Sequence, residues 1–226
     1  MSFKKNKYAI IRKAIDKDLA LFLYNYFLIK KQVYDTCLEE KYFSKFETAY
    51  GFYEDENAQI PNTYSHYSDI AMETLMLKCQ PIMEKTTELK LYPAYTYARI
   101  YKKGDILKRH KDRFSCEIST TMNLGGDKWS IYVSPNENVG IPNNKDIKVS
   151  SNAKGLKIDL NPGDMLGYRG IELEHWREKF KGKVSAQVFL HYNDDNSKVG
   201  DAKQNMFDGR PHLGLPAYFK GLKIDS

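Results

Sequence analysis

Cysteine is scarce in this 226-residue chain: three, Cys37, Cys79 and Cys116, with no Cys-x-x-Cys pair and no zinc-finger spacing. A disulfide framework is thereby excluded, and reduced thiols in a cytoplasmic setting are expected. Long apolar runs are missing as well. The best candidate, Leu19 to Ile29, follows Asp16 and Asp18, is interrupted by Asn25 and leads to no small-residue cleavage site. Neither a membrane span nor a signal peptide is expected from it. No internal repeat is visible. Charge of one sign is not abundant either, with 35 Lys and Arg against 29 Asp and Glu, a net +6. That mild excess suits anionic small molecules or acidic partners and makes no case for nucleic acid.

Aromatic residues are what the chain has in plenty. They make up 13% of it, with 17 Tyr, against 42% hydrophobic and 28% charged residues overall. Such a composition belongs to a soluble globular protein whose half-polar interior is built from strands. The N-terminal part reads as a strand, Tyr8 to Ile15, then a helix capped by Asp16 or Asp18. Its Leu19, Phe22, Leu23, Tyr26, Phe27 and Val33 recur at helical spacing. Tyr42 to Tyr67 reads as an aromatic, polar loop and a candidate lid. A second helix is expected from Ser68 or Asp69, with Met72, Leu75, Met76, Cys79 and Met83 on one face and a kink at Pro81.

From about Leu91 the pattern changes to short strands separated by turn residues. Eight are expected: Tyr95–Lys102, Ile106–Asp112, Cys116–Leu124, Trp129–Val133, Leu156–Leu160, Asp164–Tyr168, Leu173–Trp176 and Ser185–Tyr192. The fold class is mainly β (α+β), a jelly roll whose larger sheet carries the N-terminal helices. Residues 1–90 support the core, 91–193 form it and 194–226 make a tail, all within one structural domain. Ser134 to Gly155 is a long polar insertion, and His212 in the tail is not a candidate ligand.

His110-Lys111-Asp112 is the only His-x-Asp in the chain. On a strand, residues two apart share a face, so an imidazole and a carboxylate would project together. That is two thirds of the 2-His-1-carboxylate set that holds non-haem Fe(II). The tripeptide alone is equally a solvated surface pair, and its weight comes from what accompanies it. His175, in Leu173-Glu174-His175-Trp176-Arg177, is the preferred third ligand over His191, which reads as a hydrogen-bonded core histidine, and over His66. Lys183 stands before the last strand and could meet the far carboxylate of a dicarboxylate held on the ion. Arg177 and Arg113 are rivals, set aside as too close to the metal ligands, and the Tyr101 phenol could bind the same molecule.

The pattern Tyr101, His110-x-Asp112, His175, Lys183 resembles the Fe(II)/2-oxoglutarate dioxygenases of the prolyl 4-hydroxylase-like group, over about residues 95–193. The resemblance implies a double-stranded β-helix with Fe(II) on His110, Asp112 and His175, and 2-oxoglutarate held by Lys183 and Tyr101. It further implies O2 as oxidant, ascorbate as reductant and hydroxylation of a peptidyl proline or a small molecule. The family's spacing from its distal His to its Lys is usually about ten, against eight here. The competing expectation is a non-catalytic jelly-roll binding protein in which these residues are scattered polar groups. A cupin-like isomerase would want more His ligands. An AlkB-like demethylase would carry two Arg after the distal His, and none occurs between Arg177 and Arg210.

Overall fold

The computed structural model describes residues 3–138 and 151–197. A short helix α1 (Phe3–Asn6) and strand β1 (Tyr8–Ile11) lead into the long helix α2 (Lys17–Glu39). Strands β2 (Phe52–Tyr53) and β3 (Tyr64–Tyr67) precede helix α3 (Ile70–Thr87). The rest is β4 (Leu91–Lys102), β5 (Leu107–His110), β6 (Ile118–Gly126), β7 (Ile131–Val133), β8 (Leu156–Ile158), β9 (Met165–Arg169), β10 (His175–Arg177) and β11 (Val184–Asp194).

Two antiparallel sheets result. The larger has the order β1-β9-β6-β11-β4-β3-β2 and the smaller β5-β10-β7-β8. The fold is a jelly roll, with both long helices packed on the larger sheet. On β4, Ala98 and Ile100 belong to the apolar layer under the helices, while Tyr95, Tyr97, Arg99 and Tyr101 line a cavity on the other side. Strand alternation alone produces this division. The helix side is filled by Phe27, Tyr34, Met72, Met76, Cys79 and Met83 against Met122, Leu124, Val188 and Leu190. No helix among the described residues is long and apolar enough to cross a membrane.

Two expectations need correction. The Tyr42–Tyr67 segment is not all loop: β3 pairs with β4 and extends the larger sheet. All four β3 residues are buried, so no polar alternation betrays the strand. Strand β5 ends at His110, so Asp112 lies beyond it. Expectations for 139–150 of the polar insertion and for 198–226 of the tail, His212 included, fall outside the described residues.

Asp69 ties the two long helices together. Its Oδ1 accepts from the Met72 N–H at 3.1 Å and caps α3. Its Oδ2 accepts from Tyr26 Oη of α2 at 2.7 Å, faces His66 Nδ1 at 3.1 Å and pairs with Lys30. Burial would raise this carboxyl, but His66, Lys30 and Tyr26 together hold it well below the usual range. An Asp69→Ala chain should lose about 3–5 kcal/mol at neutral pH, because Lys30 is left without its partner. The loss is read from urea midpoints. A depressed folded pKa stabilises above the unfolded value, so the gap from native should shrink as pH falls below the carboxylate range.

Candidate active site

His110 at the end of β5 and His175 at the start of β10 are direct partners across the antiparallel ladder. Their rings face each other with centroids 4.2 Å apart. Asp112 is delivered by the loop after β5, its backbone N–H donating to Gly170 O at 2.8 Å. Ser119 of β6 donates to Asp112 Oδ2 at 2.7 Å. This leaves Oδ1 3.6 Å from His110 Nε2 and 3.5 Å from His175 Nε2. One donor atom from each of the three residues lies within 4.8 Å of the others.

The two imidazoles are oriented alike. His110 Nδ1 lies 2.8 Å from Lys108 O, and His175 Nδ1 lies 3.0 Å from Leu173 O. A carbonyl can only accept, so Nδ1 carries a proton in each ring, and a neutral ring then turns its Nε2 lone pair toward Asp112. Metal-binding histidines are held in this way. Burial, helped by the neighbouring His175, pushes His110 down to about 4. For His175 burial acts in the same direction, but Asp112 overrides it and raises the ring. The Asp112 carboxyl would be raised by burial, yet His175 and His110 hold it well below the usual range. Asp112 is thus held as a carboxylate, His110 is held neutral, and a proton on His175 is favoured until an ion displaces it. Gly170 leaves room for it: a Cβ there would lie 2.3 Å from Asp112 Oδ2 and 2.5 Å from Cys116 O.

The three side chains share a cavity of about 550 Å³ whose walls include Tyr95, Tyr97, Arg99, Tyr101, Tyr168 and Phe189. One wall comes from the segment between β2 and β3, through Glu54, Asp55, Ala58 and Gln59. Glu54 is latched there by Arg99 Nη2 at 2.6 Å and by the Tyr97 hydroxyl. His191 also lines the cavity, with Nδ1 3.0 Å from Ser119 Oγ. It is the hydrogen-bonded interior histidine expected, while His66 lies away with Asp69.

Lys183 lies elsewhere. It precedes β11, whose Phe189 and His191 face the cavity, and is itself exposed. It lines a neighbouring cavity of about 570 Å³ with Lys31, Lys102 and Tyr101, beside α2. Arg99 and Lys111 are buried cations on the cavity wall, and Arg177 is a third, more deeply buried, behind it. Arg177 donates to Thr121 Oγ1 at 3.0 Å, to Gln187 Oε1 at 3.3 Å and to Trp129 O. Its Nε has no hydrogen-bond partner among the described residues, and neither does the buried hydroxyl of Tyr101. Both groups pack on the same indole, Arg177 5.2 Å and the Tyr101 ring 4.7 Å from the Trp129 ring centre. No carboxylate among the described residues pairs with Arg177. Sequence reasoning set Arg177 aside for its closeness to His175, although strand geometry separates residues two apart by roughly 6.6 Å.

The chain matches no family model and no curated protein. Solved structures do share its architecture. The epimerase SnoN from nogalamycin biosynthesis, described as non-haem and alpha-ketoglutarate-dependent, aligns with TM-score 0.61 and 10% identity over 85% of this chain and 80% of its own. HygX from Streptomyces hygroscopicus, with nickel and 2-oxoglutarate bound, gives 0.55 and 12% over 86% and 85%. A Pseudomonas putida prolyl-4-hydroxylase gives 0.51 and 13% over 85% and 95%. The shared fold is the double-stranded β-helix.

Proposed function

We propose that the protein is an Fe(II)- and 2-oxoglutarate-dependent dioxygenase. The observation that carries this reading is the convergence of His110 Nε2, His175 Nε2 and Asp112 Oδ1, with both Nδ1 atoms already committed to carbonyl groups. Two neutral imidazoles and one carboxylate suit Fe(II) and leave coordination positions for other ligands. The likeness to SnoN, obtained with Fe3+ and alpha ketoglutarate, and to HygX, obtained with nickel and 2-oxoglutarate, supports a transition-metal ion with that co-substrate.

When bound, iron with 2-oxoglutarate and O2 supplies oxidative decarboxylation to succinate and CO2, coupled to hydroxylation of a C–H bond. The chain's own residues position and enclose. Ser119 and the Gly170 carbonyl hold Asp112 in place. Arg177 and the Tyr101 hydroxyl, each with an uncommitted polar atom, are assigned to the distal carboxylate of 2-oxoglutarate. A buried guanidinium without an anion is costly, and a dicarboxylate would remove that cost. The five-carbon diacid spans about 5 Å, comparable with the strand spacing between His175 and Arg177. The aromatic walls and the latched Glu54 segment exclude water around the reacting carbon.

The substrate is assigned as a small molecule or a peptidyl proline. SnoN and HygX have been obtained with nogalamycin RO and hygromycin B respectively, which favours the first class, whereas the prolyl-4-hydroxylase neighbour keeps the second. With Fe(II), ascorbate and O2, the protein should convert 2-oxoglutarate to succinate slowly alone and faster with the right substrate. Succinate is measured by mass spectrometry against proline-containing peptides and glycosidic or polycyclic small molecules. Absence of iron-dependent succinate under all conditions would leave the non-catalytic jelly-roll reading.

A further inference from the structure

A second group of metal-type donors adjoins the first. Asp112, Cys116 and His191 offer a carboxylate oxygen, a sulfur and a ring nitrogen, all within 4.8 Å of one another. All three also line the 550 Å³ cavity, so an ion entering it reaches them directly. Asp112 belongs to both groups. Oδ1 is nearest His110 and His175, at 3.6 and 3.5 Å, whereas Oδ2 is turned toward Ser119 at 2.7 Å.

We propose that Asp112, Cys116 and His191 form a second cation site, thiolate-bearing and contiguous with the triad, whose preferred ion is zinc. Sulfur decides the preference. Thiolate donors favour zinc over the hard divalent ions, while the triad carries only nitrogen and oxygen. Charge is matched, since Zn²⁺ meets one thiolate, one carboxylate and a neutral imidazole. Binding releases the Cys116 thiol proton to solvent and changes no oxidation state. Existing contacts adjust: Tyr95 Oη lies 2.9 Å from Cys116 Sγ, while Ser119 Oγ lies 3.0 Å from His191 Nδ1 and 2.7 Å from Asp112 Oδ2. The Arg113 guanidinium, 2.9 Å from the same Tyr95 hydroxyl, opposes a cation here, so the thiolate is indispensable. Because one carboxylate cannot neutralise two doubly charged ions, filling this site disfavours filling the triad.

The site itself does not depend on the oxygenase reading, and its test is independent of activity. Cobalt(II), a zinc substitute visible by absorption, is titrated into a His110→Ala/His175→Ala chain, which lacks both triad imidazoles. A sulfur-to-cobalt charge-transfer band saturating at one equivalent is expected. Adding Cys116→Ser should abolish the band and weaken zinc binding, measured by competition with a chromophoric chelator, by about tenfold or more. His191→Gln should do the same, which covers the case in which the serine variant fails to fold by circular dichroism. No band in the first chain would overturn the proposal. So would a band that survives Cys116→Ser, since Cys37 and Cys79 would then be its source. Succinate release plays no part, so failure of the oxygenase reading would leave this result standing.

Discussion

A His110→Ala chain should bind Mn(II) or Fe(II) about a hundredfold more weakly than the native protein and release no succinate above background. The expectation follows from the ladder. His110 and His175 are opposite one another across β5 and β10, with Asp112 Oδ1 nearly equidistant from their Nε2 atoms. Removing one imidazole leaves two donors, and nothing nearby on β5 replaces it. The site's pH response should follow from the same geometry. Asp112 raises the His175 pKa, so a proton competes with the ion for that ring as pH falls. Affinity is therefore expected to weaken on acidification through the raised pKa and to level off above it. Isothermal titration with Mn(II) across a pH series checks both statements. Undiminished succinate release by the variant would end the ligand assignment.

Arg177→Met should raise the concentration of 2-oxoglutarate needed for half-saturation about tenfold to a hundredfold. Hydrogen bonds to a charged group are worth roughly 1.5–3 kcal/mol. The comparison that matters is with stability. Met removes hydrogen bonds to the buried Thr121, Gln187 and Trp129 acceptors, so stability should fall by about 1–3 kcal/mol while metal affinity stays intact and co-substrate binding collapses. Lys183→Ala, on the exposed rim of a different cavity, should leave co-substrate binding within about twofold of native, as surface changes usually do. The reverse outcome would return the anchoring role to Lys183.

The two predictions mark where sequence reasoning succeeded and where it stopped. The long helices were legible because Leu23 and Phe27, then Met72, Met76 and Met83, repeat at helical spacing on a buried face. The jelly roll was legible from short strands punctuated by turns. His110, Asp112 and His175 do converge, but the reason given for the first pair was incomplete. Strand alternation does not carry Asp112 to the site, because β5 ends at His110 and the Gly170 carbonyl holds the next turn. Such a long-range backbone contact leaves no local pattern. Strand β3 was hidden for a different reason, since Tyr64, Ser65, His66 and Tyr67 are all enclosed and present no polar side. Whether Arg177 or Lys183 meets the distal carboxylate is not legible from spacing alone, because a strand is the most extended form the chain adopts and two residues span roughly 6.6 Å.

The two histidine-bearing strands are not equally secured. Among the described residues β10 is bonded on both flanks, to β5 and to β7, whereas β5 has four residues and a single neighbour. His175 is thus anchored in the middle of its sheet, and His110 sits on the border strand. A small outward swing of that border would detach one donor while leaving the other in register. Loading and unloading of an ion would then proceed from the His110 side, without disturbing the seven-stranded wall behind it.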